Sequence, residues 1–144
     1  MIAPQNWVVW ALLSALFAAA TAILAKIGLE GIDSDFATLV RTAVILVVLS
    51  VLVYASGKWQ SLSAVPGRAL LFLTLSGLAT GASWVCYFRA LKAGDASRVA
   101  PIDKLSVVLV AVFAVLFLGE RPAIRDWLGI ALVAGGVLLL SLRR

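Results

Sequence analysis

The sequence predicts an all-α integral membrane protein with five transmembrane helices, and three observations carry that reading. The chain is 63% hydrophobic and 13% charged over its 144 residues, against roughly 45–50% apolar and about 25% charged in soluble domains. Its mean hydropathy is +1.10. The apolar residues gather in five runs, each near the roughly 20 residues that a helix needs to cross a bilayer. The spans are expected at about 7–26, 36–55, 69–90, 99–119 and 124–142 of a single transmembrane domain, 1–144. Little chain is left for a soluble domain.

The charge balance argues in the same direction. Twelve Lys and Arg residues against seven acids give +5, but the basic residues are scattered between apolar runs, where they act as topology signals at helix ends. Nucleic acid is therefore not an expected partner, whereas the lipid bilayer is. Cys86 is the only cysteine and there is no histidine, which removes an intrachain disulfide, the commonest general base and any Cys/His metal site. No Gly-rich phosphate loop or nucleophile motif is present. No cofactor is implied, and the composition disfavours a conventional membrane enzyme.

In the first span Trp7–Ala25 is uncharged, too long for a signal peptide and without its basic start, so it is read as a retained helix. Ala11, Ala15, Ala18, Ala22 and Ala25 recur at alternating spacings of four and three, which gives a small-residue face of the kind that lets membrane helices approach. Lys26 is read as snorkelling at the helix end. Gly28–Asp35 has turn composition, with Ser34 or Asp35 as N-cap of the second span. Arg41 falls nearly two turns inside that span, and it either snorkels or finds a partner within the bundle.

Ser56–Arg68 has loop composition, with Trp59 at headgroup level. The third span contains Gly77-Leu-Ala-Thr-Gly81, a small-xxx-small pair suited to close helix contact. Its later half offers Ser83, Trp84, Cys86 and Tyr87, with Trp84 placed to form a cavity wall. A short basic connection, Arg89–Arg98, leads to the fourth span. Here Pro101 is followed by Asp103 and Lys104, ionisable residues at or inside the edge of an apolar run, and such residues are functional-site candidates by default. If the helix starts at Pro101 the pair lies in the interface, and if it starts near Ser97 the pair lies deeper. Adjacent residues on a helix point about 100° apart, so each is expected to need its own partner. Gly119–Asp126 makes a tight hairpin, Gly129, Ala131, Gly135 and Gly136 offer small contact positions in the fifth span, and Arg143 and Arg144 stop it.

The run from Gly81 onward resembles one repeat of the EamA-type membrane proteins of the drug/metabolite transporter superfamily. The resemblance lies in Tyr87-Phe-Arg-Ala-Leu91, then a Pro-started helix ending Leu118-Gly-Glu-Arg121, then Leu128-Gly-Ile-Ala-Leu-Val-Ala-Gly-Gly-Val137. The Arg41 region is similar to the family's second helix. The Asp103-Lys104 pair departs from the family's commoner apolar sequence after the proline. The resemblance implies a multi-pass protein of the inner cell membrane that moves a small-molecule substrate by alternating access, with the first, third and fourth helices of each repeat around the cavity.

Most members carry two inverted repeats, and this sequence contains one. Transporters of that design place their site at the repeat interface, so the second half is expected from a homodimer, whose protomers are free to lie antiparallel as in the related small multidrug resistance proteins. With the N-terminus outside, Lys26, Arg41, Arg89, Lys92, Arg98, Lys104, Arg143 and Arg144 face inside against Lys58, Arg68, Arg121 and Arg125 outside. Setting aside Lys26, Arg41 and Lys104 as intramembrane leaves five against four, a bias that permits dual topology. Lys104, Asp103, Pro101, Trp84, Tyr87 and Arg41 are the candidate substrate-binding or coupling residues. The alternative functions are a non-transporting subunit or assembly factor that binds another membrane protein through its small-residue faces, and a flippase for a lipid-linked substrate.

Overall fold

In a computed structural model covering residues 6–142, those residues form helices and connecting turns without a strand. Five helical segments are long and apolar enough to cross a membrane: Trp7–Gly28, Ser34–Ala55, Gly67–Ala93, Ala96–Leu118 and Ile124–Leu142. The protein is thus an all-α, multi-pass membrane protein. The uncharged start expected at Met1–Gln5 and the stop expected at Arg143 and Arg144 lie outside the described residues.

Four of the five helices extend a few residues beyond the expected spans. The first, α1, spans Asn6–Gly28. A turn through Gly31, whose φ of +74° suits glycine, leads to α2, Ser34–Ala55. Its N-cap is Asp33 rather than Ser34 or Asp35: Oδ1 of Asp33 accepts from the amides of Asp35 and Phe36 at 2.8 and 3.1 Å. A single 3-10 turn at Leu62–Ala64 interrupts the following loop. The third helix, α3, spans Gly67–Ala93. It absorbs Arg89-Ala-Leu-Lys-Ala, which we expected to be a connection, since Ala, Leu, Lys and Arg all favour helix.

The fourth span is broken. It begins at Ala96, five residues before Pro101, as α4, Ala96–Asp103. It continues as α5, Ser106–Phe113, and ends in a π-helical turn at Ala114–Leu118. Gly119, at φ +68°, closes it in the left-handed conformation. The last helix, α6, spans Ile124–Leu142.

Contacts group the chain into two compact units, Ile23–Lys92 and the remainder from either side of it. In the first, the buried residues are Leu29, Ser34, Thr38, Phe88 and Leu91, all at the end where α1 and α3 finish and α2 starts. The far ends of α2 and α3 are exposed. In the second unit α6 packs on α4 and α5, and Ala114 and Val137 are buried. Large apolar side chains such as Phe117 and Leu132 remain 78% and 77% exposed. In water that would be a liability, but in lipid it costs nothing.

Candidate functional site

Two arrangements gather the polar residues, one in each unit. In Ile23–Lys92, α2 turns Ser34, Thr38, Arg41 and Ile45 inward at spacings of four, three and four. All four are buried or half-buried, which is the stripe a helix presents to a packing partner. Thr38 and Thr42 satisfy their hydroxyls locally, donating to the carbonyls of Ser34 and Thr38. Arg41 instead places its guanidinium 4.3 Å from the Trp84 ring centre and 5.2 Å from that of Phe88. Trp84 and Phe88 are four residues apart on α3, so their rings stack along one face of it. Tyr87 follows them around the helix, its ring centre 6.5 Å from that of Phe88. Of the two roles open to Arg41, the inward one holds, and its partners are aromatic rings rather than a carboxylate.

Around this stack, basic side chains cross between elements. Lys26 Nζ donates to the Leu91 carbonyl at 2.6 Å, one of the last carbonyls of α3, which lacks an intrahelical donor. Lys26, read as snorkelling at its helix end, thus also has a protein partner at the end of α3. Arg89 forms a two-point ion pair with Asp35, Nε to Oδ1 at 2.9 Å and Nη2 to Oδ2. Lys92 donates to the Ile32 carbonyl. These three basic residues, with Arg41 on its rings, tie α1, α2 and α3 together at one end.

In the other unit, the fourth span carries Pro101, Asp103 and Lys104. Asp103 lies about 10 Å along the helix from its start at Ala96, at 1.5 Å per residue, so of the two expected starts the helix takes the one near Ser97. Pro101 has no N–H to offer the Ser97 carbonyl. Just beyond it the backbone tightens to three-residue hydrogen bonds, Lys104 to Pro101, Leu105 to Ile102, Val107 to Lys104 and Val108 to Leu105, each 3.0 Å. Two consecutive turns are thereby weakened. A 3-10 stretch in mid-span marks a hinge, and a π turn is another common mark of a working site.

At this break Lys104 Nζ lies 3.2 Å from Asp103 Oδ2. The expectation that the two would point apart fails: the flexible four-carbon stem of Lys104 reaches back to its neighbour. Below the break, an open cleft of about 430 Å³ is lined by Val107, Val110, Ala111, Ala114 and Ile130, with Glu120, Arg121 and Asp126 at its polar side.

Two expectations about glycine also change. A Cβ built on Gly77 or Gly81 meets nothing within 4 Å, and the same is true of Gly129, Gly135 and Gly136. No close helix contact forms at these positions within the described chain. Sequence reasoning also missed Phe88, Arg89 and Asp35. Phe88 was findable, because it repeats Trp84 at the four-residue helical spacing. Arg89 and Asp35 carried no local signal, being 54 positions apart.

Comparison with known proteins agrees with this architecture. Residues 5–142 match the EamA-like transporter family. A protein of Sinorhizobium sp named as an uncharacterized transporter in the cobO 3' region is 64% identical over 137 residues, 95% of this chain and 97% of that one. The uncharacterized transporter YxxF of Bacillus subtilis (strain 168) is 26% identical over 137 residues, and the matched part is 43% of its length. A Yersinia pestis (strain Pestoides F) protein named as a probable 4-amino-4-deoxy-L-arabinose-phosphoundecaprenol flippase subunit ArnE is 33% identical over 72 residues, half of this chain and 63% of that one. No solved structure matches. With its five apolar helices and a family match running almost from end to end, this chain belongs to the EamA-like transporter family.

Proposed function

We propose that the chain, working as one domain over 1–144, carries a small metabolite or drug-like molecule across the inner cell membrane by alternating access, as a homodimer of single-repeat units. The observation that carries this is the broken fourth span. Transporter sites are built where membrane helices are interrupted, because the interruption supplies unpaired backbone groups and a place to bend. Here it coincides with the Asp103-Lys104 pair, and charged side chains within a span are costly unless they have work to do. Lys104 and Asp103 are the residues that meet the substrate or a coupling proton, Pro101 weakens the helix beneath them, and Trp84, Tyr87 and Arg41 form a second group of substrate contacts. The dimer is supported by lengths: the Sinorhizobium relative is itself about one repeat long, whereas in the Bacillus relative the matched repeat is less than half the chain. The open glycine faces of α3 and α6 are where a second copy would approach.

A second reading has its own support. The Yersinia relative is named as a flippase subunit, so a lipid-linked substrate moved between leaflets, with this chain as one subunit, is the alternative. Uptake by proteoliposomes of a panel of cationic, anionic and neutral metabolites and drugs, with and without a proton gradient, separates them. Saturable uptake of a water-soluble compound supports the first reading. Uptake of none, with movement of a labelled polyprenyl phosphate glycolipid between leaflets, replaces it by the second.

A further inference from the structure

Arg41 sits well inside Ser34–Ala55, half-buried, with its guanidinium on two aromatic rings. Ring faces attract the positive charge, but they leave the five N–H donors at the guanidinium edge without acceptors. Among the described residues no carboxylate, carbonyl or hydroxyl accepts from Arg41. The aspartates nearest in sequence are committed elsewhere: Asp33 caps α2 through its amides, and Asp35 is held at two points by Arg89. Lys92, at the same end of the unit, donates to a neutral carbonyl and so keeps its charge uncompensated. The inward face of α2 thus presents a stacked, oriented and unneutralised guanidinium.

A guanidinium held flat by stacking has its donor fork pre-aimed, and that fork matches the paired oxygens of a phosphate or carboxylate. We propose that Arg41, held on Trp84 and Phe88, binds an oxyanion, and that the molecule this protein handles is therefore an anion carrying a phosphate or carboxylate group. This deepens the transport reading and rests on it for the word substrate. The binding itself stands on the Arg41 geometry alone. The oxyanion belongs either to a soluble metabolite or to the headgroup of a lipid-linked one.

Trp84 provides the readout. A full-length variant with Trp7, Trp10, Trp59 and Trp127 changed to Phe keeps Trp84 as its sole tryptophan, and is placed in phosphatidylcholine nanodiscs. Sodium phosphate is then titrated against sodium chloride at matched pH and ionic strength. A saturable fluorescence change with phosphate and not with chloride is expected, weakened at least about ten-fold by Arg41→Gln and less by Arg41→Lys. A change that appears only when phosphatidylglycerol is added to the nanodisc supports the proposal with a lipid headgroup as the source. No saturable change in either lipid, or the same change in Arg41→Gln, overturns it. If Arg41→Gln loses its helical circular dichroism, the phosphate-against-chloride titration of the Trp84-only parent decides by itself. Phosphate binding without uptake of any compound sinks the transport reading and leaves this one standing. Uptake of a cation that phosphate does not inhibit sinks this one and leaves transport standing.

Discussion

In Ile23–Lys92 the basic side chains reach across helices: Lys26 to the end of α3, Arg89 to the start of α2, and Arg41 to the rings of α3. In the other unit Lys104 reaches only to Asp103, the residue before it. The difference is mechanical. A contact between residues far apart in sequence fixes one helix against another, whereas a contact between neighbours neutralises charge without constraining the helices around it. The first unit is therefore braced at one end. The second carries its charges on a segment that Pro101 and the tightened turn after it leave free to bend.

The largest effect is expected at the bend. Lys104→Ala leaves Asp103 without its partner within the span, where a lone acid is costly. It should lower proteoliposome uptake by about 100-fold while the protein still inserts. The double variant Asp103→Asn with Lys104→Gln sharpens the point. If it transports normally, the pair is a local neutralising device and the braced unit holds the working residues.

Gly81→Leu tests the open faces. The described chain has room for a side chain there, so the monomer should fold. A dimer that used this face should dissociate more readily by about 1–3 kcal/mol. Cross-linking across a dilution series in detergent reads this out, and unchanged association removes α3 from the dimer interface.

Breaking the brace should be milder. Arg89→Gln removes both bonds to Asp35, and amide hydrogen exchange in the first turns of α2 should accelerate on the order of ten-fold, with α5 unaffected. Exchanging the partners, Asp35→Arg with Arg89→Asp, should restore protection. If Arg89→Gln loosens α5 as well, the two units are not mechanically separate.

The smallest effect is at the cap. Asp33→Ala leaves the Asp35 and Phe36 amides without their acceptor, which costs about 1 kcal/mol. A correspondingly small fall in thermal midpoint, with uptake unchanged, is the expected result.

The sequence by itself determined the solvent, the number of spans and the family, because each follows from quantities summed along the chain: apolar content, run length and a motif such as Leu118-Gly-Glu-Arg121. It also marked Arg41 and the Asp103-Lys104 pair, since charges inside apolar runs are conspicuous without any structure. It left the partner of Arg41 open and misjudged what Asp103 and Lys104 touch. Whether Arg41 faces lipid or Trp84 depends on which stripe of α2 is packed, and whether Asp103 meets Lys104 depends on the path the long Lys104 side chain takes. The pairing of Asp35 with Arg89 joins residues 54 positions apart and has no local trace. Only the tertiary structure decided these, because an ion pair or a ring stack forms wherever packing delivers two groups within a few ångströms of each other, and periodicity along one helix does not specify its neighbours.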